Sequence, residues 1–243
     1  MLLAHAIGCE RAWLYAHSDE ELREVWWIHY GRYLHERLQG KPTQYITGRQ
    51  EFYGREFRVT PDVLIPRPET EHVVEAVLER RPRHAVDIGT GSGAIAVTLA
   101  LETGARVTAT DISAAALRVA AGNARTLGAP VDWIACDLAS ALPGGVFDLV
   151  ACNPPYVPAQ AALQREVRDH EPGVALYGGN DGLTVYRRLI PDAERILTAG
   201  GWLVMEIGYA LADPVGGMLG AWTDVETRTD LAGLPRVILA RKP

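Results

Sequence analysis

From residue 84 onward, short apolar segments alternate with longer helical patterns, and this alternation constrains the fold more than any other feature of the chain. Seven segments rich in strand-forming residues are predicted as strands, at 85–89, 106–110, 131–135, 147–152, 201–207, 223–228 and 236–240. Helices are predicted at 92–102, 113–127, 181–198 and 209–220. The pattern is typical of an α/β protein with a seven-stranded, mostly parallel, Rossmann-like sheet that helices cover on both faces.

The first part of the chain, residues 1–42, is predicted to form a small helical domain. Ser18 and Glu21 have the spacing of a capping box, and apolar residues follow at helical intervals until Gly40. We therefore expect a helix that starts near Ser18 and ends near Gly40.

A β-hairpin is predicted within residues 43–66, where aromatic and polar residues alternate around Gly54. This hairpin would link the helical domain to a larger domain, residues 67–243, whose first helix opens near Pro68. Pro191 lies inside the predicted helix 181–198, so we expect that helix to be kinked or split.

The composition argues against several classes of protein. With 243 residues, 48% of them hydrophobic and 22% charged, the chain can bury a sizeable core, and its net charge of −6 does not favour a dedicated duplex-binding surface. Cys9, Cys136 and Cys152 lack metal-ligand spacing and are interpreted as thiols in a reducing cytoplasm. No apolar stretch approaches the roughly 20 residues of a membrane span. We expect a cytoplasmic protein that binds no metal, membrane or nucleic acid.

The segment FDLVACNPPYVP, residues 147–158, starts as a buried strand and ends in Asn153, Pro154, Pro155 and Tyr156. A residue before proline is held extended and proline has no N–H, so the segment forms a stiff ledge of hydrogen-bond acceptors. Such a ledge suits a planar group that carries an NH2. The alternative is that the two prolines merely terminate the strand.

A glycine-rich turn, with Gly89, Gly91 and Gly93, joins the first predicted strand of the sheet to a helix. Glycine permits a tight turn and lets a ligand approach the backbone, and this spacing is not that of a dinucleotide fingerprint. Asp111 ends the next strand, where an acid commonly accepts hydrogen bonds from ribose hydroxyls. Asp111 could instead cap the helix that begins near Ser113.

Asp137 and Leu138 follow the third strand and offer a polar edge and an apolar face, which a purine requires. Asp137 could alternatively just start a turn. Together with the glycine turn and Asp111, these residues indicate an adenosine with an amino-acid tail, which is S-adenosylmethionine.

The D-x-G-x-G-x-G turn, the acid after the second strand and N-P-P-Y after the fourth resemble a class I methyltransferase that acts on a planar nitrogen. Over nearly its full length the chain resembles the release factor glutamine methyltransferases, through QYITGRQEFYGREFRVTPDVLIPRPETE, NPPYVP, HEPGVALYGGNDGLTVYRRLI and VMEIG. The resemblance implies methylation of the glutamine in the Gly-Gly-Gln loop of peptide-chain release factors. It also implies that the chain begins inside the family's N-terminal domain.

The resemblance further implies two sets of site residues. Those expected to bind the cofactor are Gly89, Thr90, Gly91, Ser92 and Gly93 at its methionine end, Asp111 at the ribose, Leu138 at the adenine, and Asn153. Those expected to form the glutamine pocket are Asn153, Pro154, Pro155 and Tyr156, of which Asn153, Pro154 and Tyr156 are catalytic. The segment PRPETE is expected near the pocket mouth.

Catalysis by this pocket would depend on positioning, because an amide nitrogen is a poor nucleophile. The Asn153 side-chain oxygen and the Pro154 carbonyl would accept its two N–H bonds. The alternatives are a ribosomal-protein glutamine methyltransferase, a nucleic-acid adenine or cytosine methyltransferase, and a cofactor-binding protein without catalysis. Trp26, Trp27 and Tyr30 are expected to contact the release factor away from its Gly-Gly-Gln loop.

Overall fold

The computed structural model describes all 243 residues and contains a two-stranded and a seven-stranded sheet. The strands are β1 Arg49–Phe52, β2 Arg55–Arg58, β3 His84–Ile88, β4 Arg106–Asp111, β5 Val131–Ala135, β6 Phe147–Cys152, β7 Leu197–Glu206, β8 Thr223–Thr229 and β9 Pro235–Arg241. The large sheet has the order β5-β4-β3-β6-β7-β9-β8, in which six strands run in one direction and only β9 runs in the opposite direction. The predicted seven-stranded, mostly parallel sheet is confirmed.

Helices from the part of the chain after the hairpin cover both faces of the large sheet. The helices of the whole chain are α1 Leu2–Ile7, α2 Arg11–Ala16, α3 Glu24–Leu38, α4 Thr43–Thr47, α5 Glu71–Arg80, α6 Ala94–Thr103, α7 Ala114–Leu127, α8 Arg165–His170, α9 Thr184–Ile196 and α10 Ala212–Met218. Short 3-10 turns precede α5 and α10. The prediction that Pro191 splits the helix is wrong, since α9 continues through that residue as one helix. No helix is both long and apolar enough to span a bilayer.

The core consists of two apolar layers, one on each face of the sheet. Along β6, Leu149 and Ala151 pack into the layer under α5 and α6, and Val150 and Cys152 pack into the layer under α9. The residues of β6 alternate between the two layers because successive side chains of a strand point to opposite faces. Both layers are buried, so the central strands are continuously apolar and rigidly held.

The small sheet is the predicted hairpin. Its turn residues Tyr53 and Gly54 both have positive φ, as a tight two-residue hairpin requires. Phe52 and Phe57 pack edge to face beneath it, and the Asn123 side chain on α7 bonds the backbone N–H and carbonyl of the last hairpin residue. The hairpin is therefore fastened to the large domain.

The N-terminal helices differ from the prediction in their boundaries. The predicted capping box is wrong: Ser18 contacts the Asp19 carboxylate, and α3 starts six residues later at Glu24, without a side-chain cap. Among residues 1–41, only Ala4 is buried.

The topology brings three loops together at one edge of the sheet. The strand order changes direction between β3 and β6, because β4 and β5 lie on one side of β3 and β6 on the other. The residues that follow the carboxyl ends of β3, β4 and β6 therefore surround a single crevice, where open sheets of this kind bind ligands.

Candidate functional site

The turn between β3 and α6 is built from glycines in the left-handed region. Gly89, Gly91 and Gly93 have φ values of 74°, 56° and 82°. A Cβ atom on Gly93 would approach Ala120 to 3.1 Å, whereas Gly89 and Gly91 face open space. Gly93 thus serves helix packing, and the other two leave their backbone accessible from the crevice.

Asp87 supports this turn from below. Its Oδ2 accepts hydrogen bonds from Thr90 Oγ1 at 2.6 Å and from the Ala96 N–H at 3.1 Å, while Oδ1 has no partner. Complete burial raises the pKa of Asp87 to about 7. The sequence motif contained this aspartate, but nothing in the local pattern assigned it a separate role.

Asp111, at the end of β4, ties the glycine turn to the next helix. Its Oδ2 accepts from the Gly91 N–H at 2.9 Å and its Oδ1 from the Ser113 N–H at 2.8 Å. Ser113 itself caps α7 through the Ala116 N–H. The capping role belongs to Ser113, and each Asp111 oxygen keeps a lone pair for a ligand hydroxyl.

The segment after β5 supplies the opposite wall of the crevice. Leu138 has a positive φ of 48°, and its carbonyl accepts a hydrogen bond from Thr110 Oγ1 at 2.9 Å. Asp137 is paired with Arg188 of α9 at 2.5 Å. The backbone of Leu138 is held by β4, and its side chain faces the crevice.

These loops enclose a cavity of about 240 Å³. Its lining includes most of the residues predicted to bind the cofactor: Gly89, Thr90, Gly91, Ser92, Asp111, Leu138 and Asn153. Gly93 lies behind the turn and does not line the cavity. The structure thus gathers residues from four separate loops around one space.

A second cavity, of about 160 Å³, adjoins the first on the other side of the ledge. Asn153 and Pro154 line both cavities, whereas Tyr156 lines only the second and Pro155 only the first. The rest of the second cavity is mostly apolar, with Leu64, Val157, Leu163, Val167, Ala175 and Leu176. The ledge is therefore a shared wall of two neighbouring cavities.

The backbone of the ledge is braced by the segment that follows α8. A Cβ atom on Gly178 would lie 2.6 Å from the Pro155 carbonyl oxygen, and one on Gly182 would lie 2.4 Å from the Tyr156 carbonyl oxygen. No side chain fits at either position. Glycine at both positions lets two stretches of backbone touch and holds the ledge in place.

The segment PRPETE contributes to the walls of both cavities. Arg67 lines the second cavity and pairs with the buried carboxylate of Glu171, which also accepts the Ile65 N–H. Thr70 lines the first cavity and contacts both Asn153 and Glu206. Sequence reasoning did not identify Thr70 and Glu206 as site residues, because they are 136 positions apart.

The chain matches two protein-family models. Residues 68–169 match the methyltransferase small domain and residues 1–48 match the PrmC N-terminal domain. The chain is 48% identical over its full length to the release factor glutamine methyltransferase of Koribacter versatilis, covering 90% of that protein. It is 42% identical, over 99% of its length, to the protein of the same name from Geobacter sulfurreducens, covering 87% of that relative.

Solved structures agree with the fold. A methyltransferase from Pyrococcus furiosus superposes with a TM-score of 0.62 at 18% identity, covering 87% of this chain and 96% of that one. A 16S rRNA methyltransferase of T. thermophilus, solved with AdoMet and guanosine, superposes with a TM-score of 0.61 at 21% identity, covering 80% of this chain and 50% of that one. The sheet and its helices are those of a methyltransferase.

Proposed function

The chain belongs to the release factor glutamine methyltransferase family, and we propose that its two cavities hold S-adenosylmethionine and the side chain of the substrate glutamine. The activity is transfer of a methyl group to the side-chain nitrogen, N5, of the Gly-Gly-Gln glutamine in release factors. The observation that carries the assignment of residues is the shared wall, since Asn153 and Pro154 border both cavities.

The larger cavity fits the cofactor. Gly89 and Gly91 leave open backbone for the methionine end, Asp111 keeps acceptor capacity for the ribose, and Leu138 offers an apolar surface for the adenine. When bound, S-adenosylmethionine supplies a methyl group on a positively charged sulfur. The Asp111 carboxylate lies beside the turn, which suits a cationic ligand.

The ledge activates the substrate by orientation. The Asn153 side-chain oxygen and the Pro154 carbonyl accept the two N–H bonds of the amide, so the nitrogen lone pair faces the larger cavity. The positive charge that develops on this nitrogen meets fixed dipoles instead of mobile water. Neither Pro154 nor Pro155 has an N–H that would compete for these acceptors.

The second cavity provides the slot for the amide plane. The Tyr156 ring and the apolar side chains Leu163 and Leu176 line it, so they can pack against a planar group. Tyr156 donates its hydroxyl proton to Glu206 at 3.2 Å, which fixes the ring. A slot of this size can recognise an amide side chain, but it cannot distinguish one substrate protein from another.

In this proposal, the N-terminal helices provide the selectivity for the release factor that the slot alone lacks. Trp27 is exposed on α3, with Trp26 and Tyr30 half-buried beside it. Such an exposed apolar surface is suited to contact a second site on the release factor. Nucleic acid is not expected to bind, given the net charge of −6.

A methyl-transfer assay with tritiated S-adenosylmethionine tests the proposal. The acceptors are a release factor, the same factor with the Gly-Gly-Gln glutamine replaced by alanine, a glutamine-containing ribosomal protein, and duplex DNA. We expect label in the first acceptor alone, located on the glutamine by peptide mass spectrometry. Label in DNA, or equal label in both forms of the release factor, would contradict it.

A further inference from the structure

The orientation of the Asn153 amide decides whether the ledge can work. An asparagine side chain presents an acceptor oxygen on one side and a donor NH2 on the other. Only the oxygen can accept a substrate N–H, and a flipped amide would place two donors against each other. Something must therefore fix the amide in one of its two orientations.

Thr70 is in contact with this amide. Its Oγ1 lies 3.0 Å from Asn153 Nδ2 and 2.6 Å from Glu206 Oε2. A hydroxyl has one proton, and a carboxylate accepts only, so that proton is donated to Glu206. Thr70 can then only accept from Asn153, which places Nδ2 on the Thr70 side and leaves Oδ1 for the substrate.

Glu206 holds the other wall of the slot through its second oxygen. Its Oε1 accepts from the Tyr156 hydroxyl at 3.2 Å, and its backbone carbonyl accepts from the Tyr186 hydroxyl at 2.8 Å. The residue is 2% exposed, so these contacts are not exchanged with solvent. One carboxylate thus orients both Asn153 and Tyr156.

We infer that Thr70 and Glu206 are positioning residues that hold the Asn153 amide with its oxygen toward the substrate nitrogen. The inference rests on the proposed function of the ledge. It assigns an orienting role to two residues outside the predicted catalytic set, and it makes the direction of hydrogen bonding a requirement for turnover.

Protonation of Glu206 would reverse that direction. A neutral carboxyl can donate to Thr70, whose proton then turns to Asn153 and favours the flipped amide. Burial raises the pKa of Glu206 to about 7, and the titratable and charged groups facing it are Glu69, Cys152, Tyr156, Tyr186 and Arg236. Since the carboxylate form is the active one, kcat should rise about tenfold from pH 6 to pH 8.

Substitutions separate positioning from folding. We expect Thr70→Val, which removes the hydroxyl at equal volume, to lower kcat about 100-fold with little change in cofactor affinity. Thr70→Ser should restore kcat. Glu206→Gln replaces one of two acceptor oxygens with a donor NH2 and removes the titrating carboxyl, so it should lower kcat and flatten its pH profile. Asp87 titrates in the same range, so the Glu206→Gln profile is the decisive comparison with wild type.

Thr98→Val is the matched control, because Thr98 is a buried threonine of α6 whose hydroxyl has no partner. It should leave kcat and the pH profile unchanged. If Thr70→Val and Glu206→Gln keep kcat within about twofold of wild type, the inference is overturned. If wild type itself labels no release factor, the proposed function fails instead.

A measurement without turnover tests the orientation directly. The chain has three asparagines, Asn123, Asn153 and Asn180, so selective 15N labelling gives few side-chain amide signals. The Asn153 signal, assigned by its loss in Asn153→Asp, should shift with a midpoint near the Glu206 pKa, and that midpoint should vanish in Glu206→Gln. A signal that shows the same midpoint in Glu206→Gln and wild type would overturn the inference.

Discussion

The ledge at the carboxyl edge of the sheet and the N-terminal helices differ in how they are held. At the ledge, the half-buried side chains of Asn153 and Tyr156 are hydrogen-bonded to the buried residues Thr70 and Glu206, whereas Trp27 and Ile28 of α3 are 60% and 62% exposed. Transfer chemistry needs atoms fixed to fractions of an ångström, and hydrogen bonds to buried partners provide this. A docking surface instead needs accessible apolar area.

The two regions are joined at few places. Arg37 at the end of α3 pairs with Glu166 of α8 at 2.6 Å, and Val167, the next residue, lines the second cavity. A partner that binds α3 could therefore affect the slot through the Arg37–Glu166 ion pair and the neighbouring Val167. The comparison predicts large effects on turnover at the ledge and small, substrate-dependent effects on the helices.

The largest effect is expected for Asn153→Ala. Removal of the side-chain acceptor should reduce kcat by about 1,000-fold, because the amide loses both its orientation and its charge stabilisation. Cofactor affinity, measured by titration calorimetry, should change by less than about threefold. Parallel loss of thermal stability and turnover would assign Asn153 a structural role instead.

The second largest effect is expected for Gly182→Ala. Gly182 and Gly233 have nearly equal φ values of 76° and 77°, but only Gly182 faces the Tyr156 carbonyl. Alanine at Gly233 should lower the free energy of unfolding by about 1 kcal/mol, and alanine at Gly182 by about 3 kcal/mol. Denaturant titration of the two variants checks this, and equal values would remove the bracing role of the Gly182 segment.

Asp111→Ala should weaken S-adenosylmethionine binding by about 2 kcal/mol, roughly 30-fold in Kd. The variant loses the ligand contact and the bond that holds the Gly91 N–H. Asp111→Asn keeps an acceptor oxygen and should lose less. Calorimetry that finds the same affinity for wild type and Asp111→Ala would exclude this residue from the cofactor site.

The smallest effect is expected on the helices. Replacing Trp27 by alanine should lower kcat/KM for intact release factor about fivefold and leave that for a Gly-Gly-Gln peptide unchanged. Leu231→Ala, at a fully exposed apolar residue in the β8–β9 turn, is the control and should change neither. If kcat/KM fell equally for intact release factor and for the peptide, Trp27 would affect the glutamine slot and not a separate docking surface.

Much of the site was predictable because its signals are local. The glycine turn, Asp111 and the Asn153 ledge each follow a strand directly, and parallel strands bring such positions to one edge. The family resemblance then supplied the substrate. The positions of these residues could be inferred from the strand ends alone, whereas the substrate could not.

Other features depended on contacts that no local pattern records. Glu206 meets Thr70 and Tyr156 only after the sheet has formed, so their network has no signature in the sequence. The start of α3 was predicted at Ser18 because the capping spacing was present, yet nothing buried anchors a helix there. A local capping pattern does not determine where a helix starts when no tertiary packing stabilises the helix at that point.

The tight contact at Gly178 and Gly182 also sets the rules for redesigning the enzyme. A variant that accepts a bulkier amide cannot be obtained by moving the ledge, since its backbone rests directly on other backbone. Room can be made only on the opposite wall, where Leu163, Val167 and Leu176 can be shortened without touching the acceptors. A library restricted to those three positions would explore new substrates while keeping the chemistry intact.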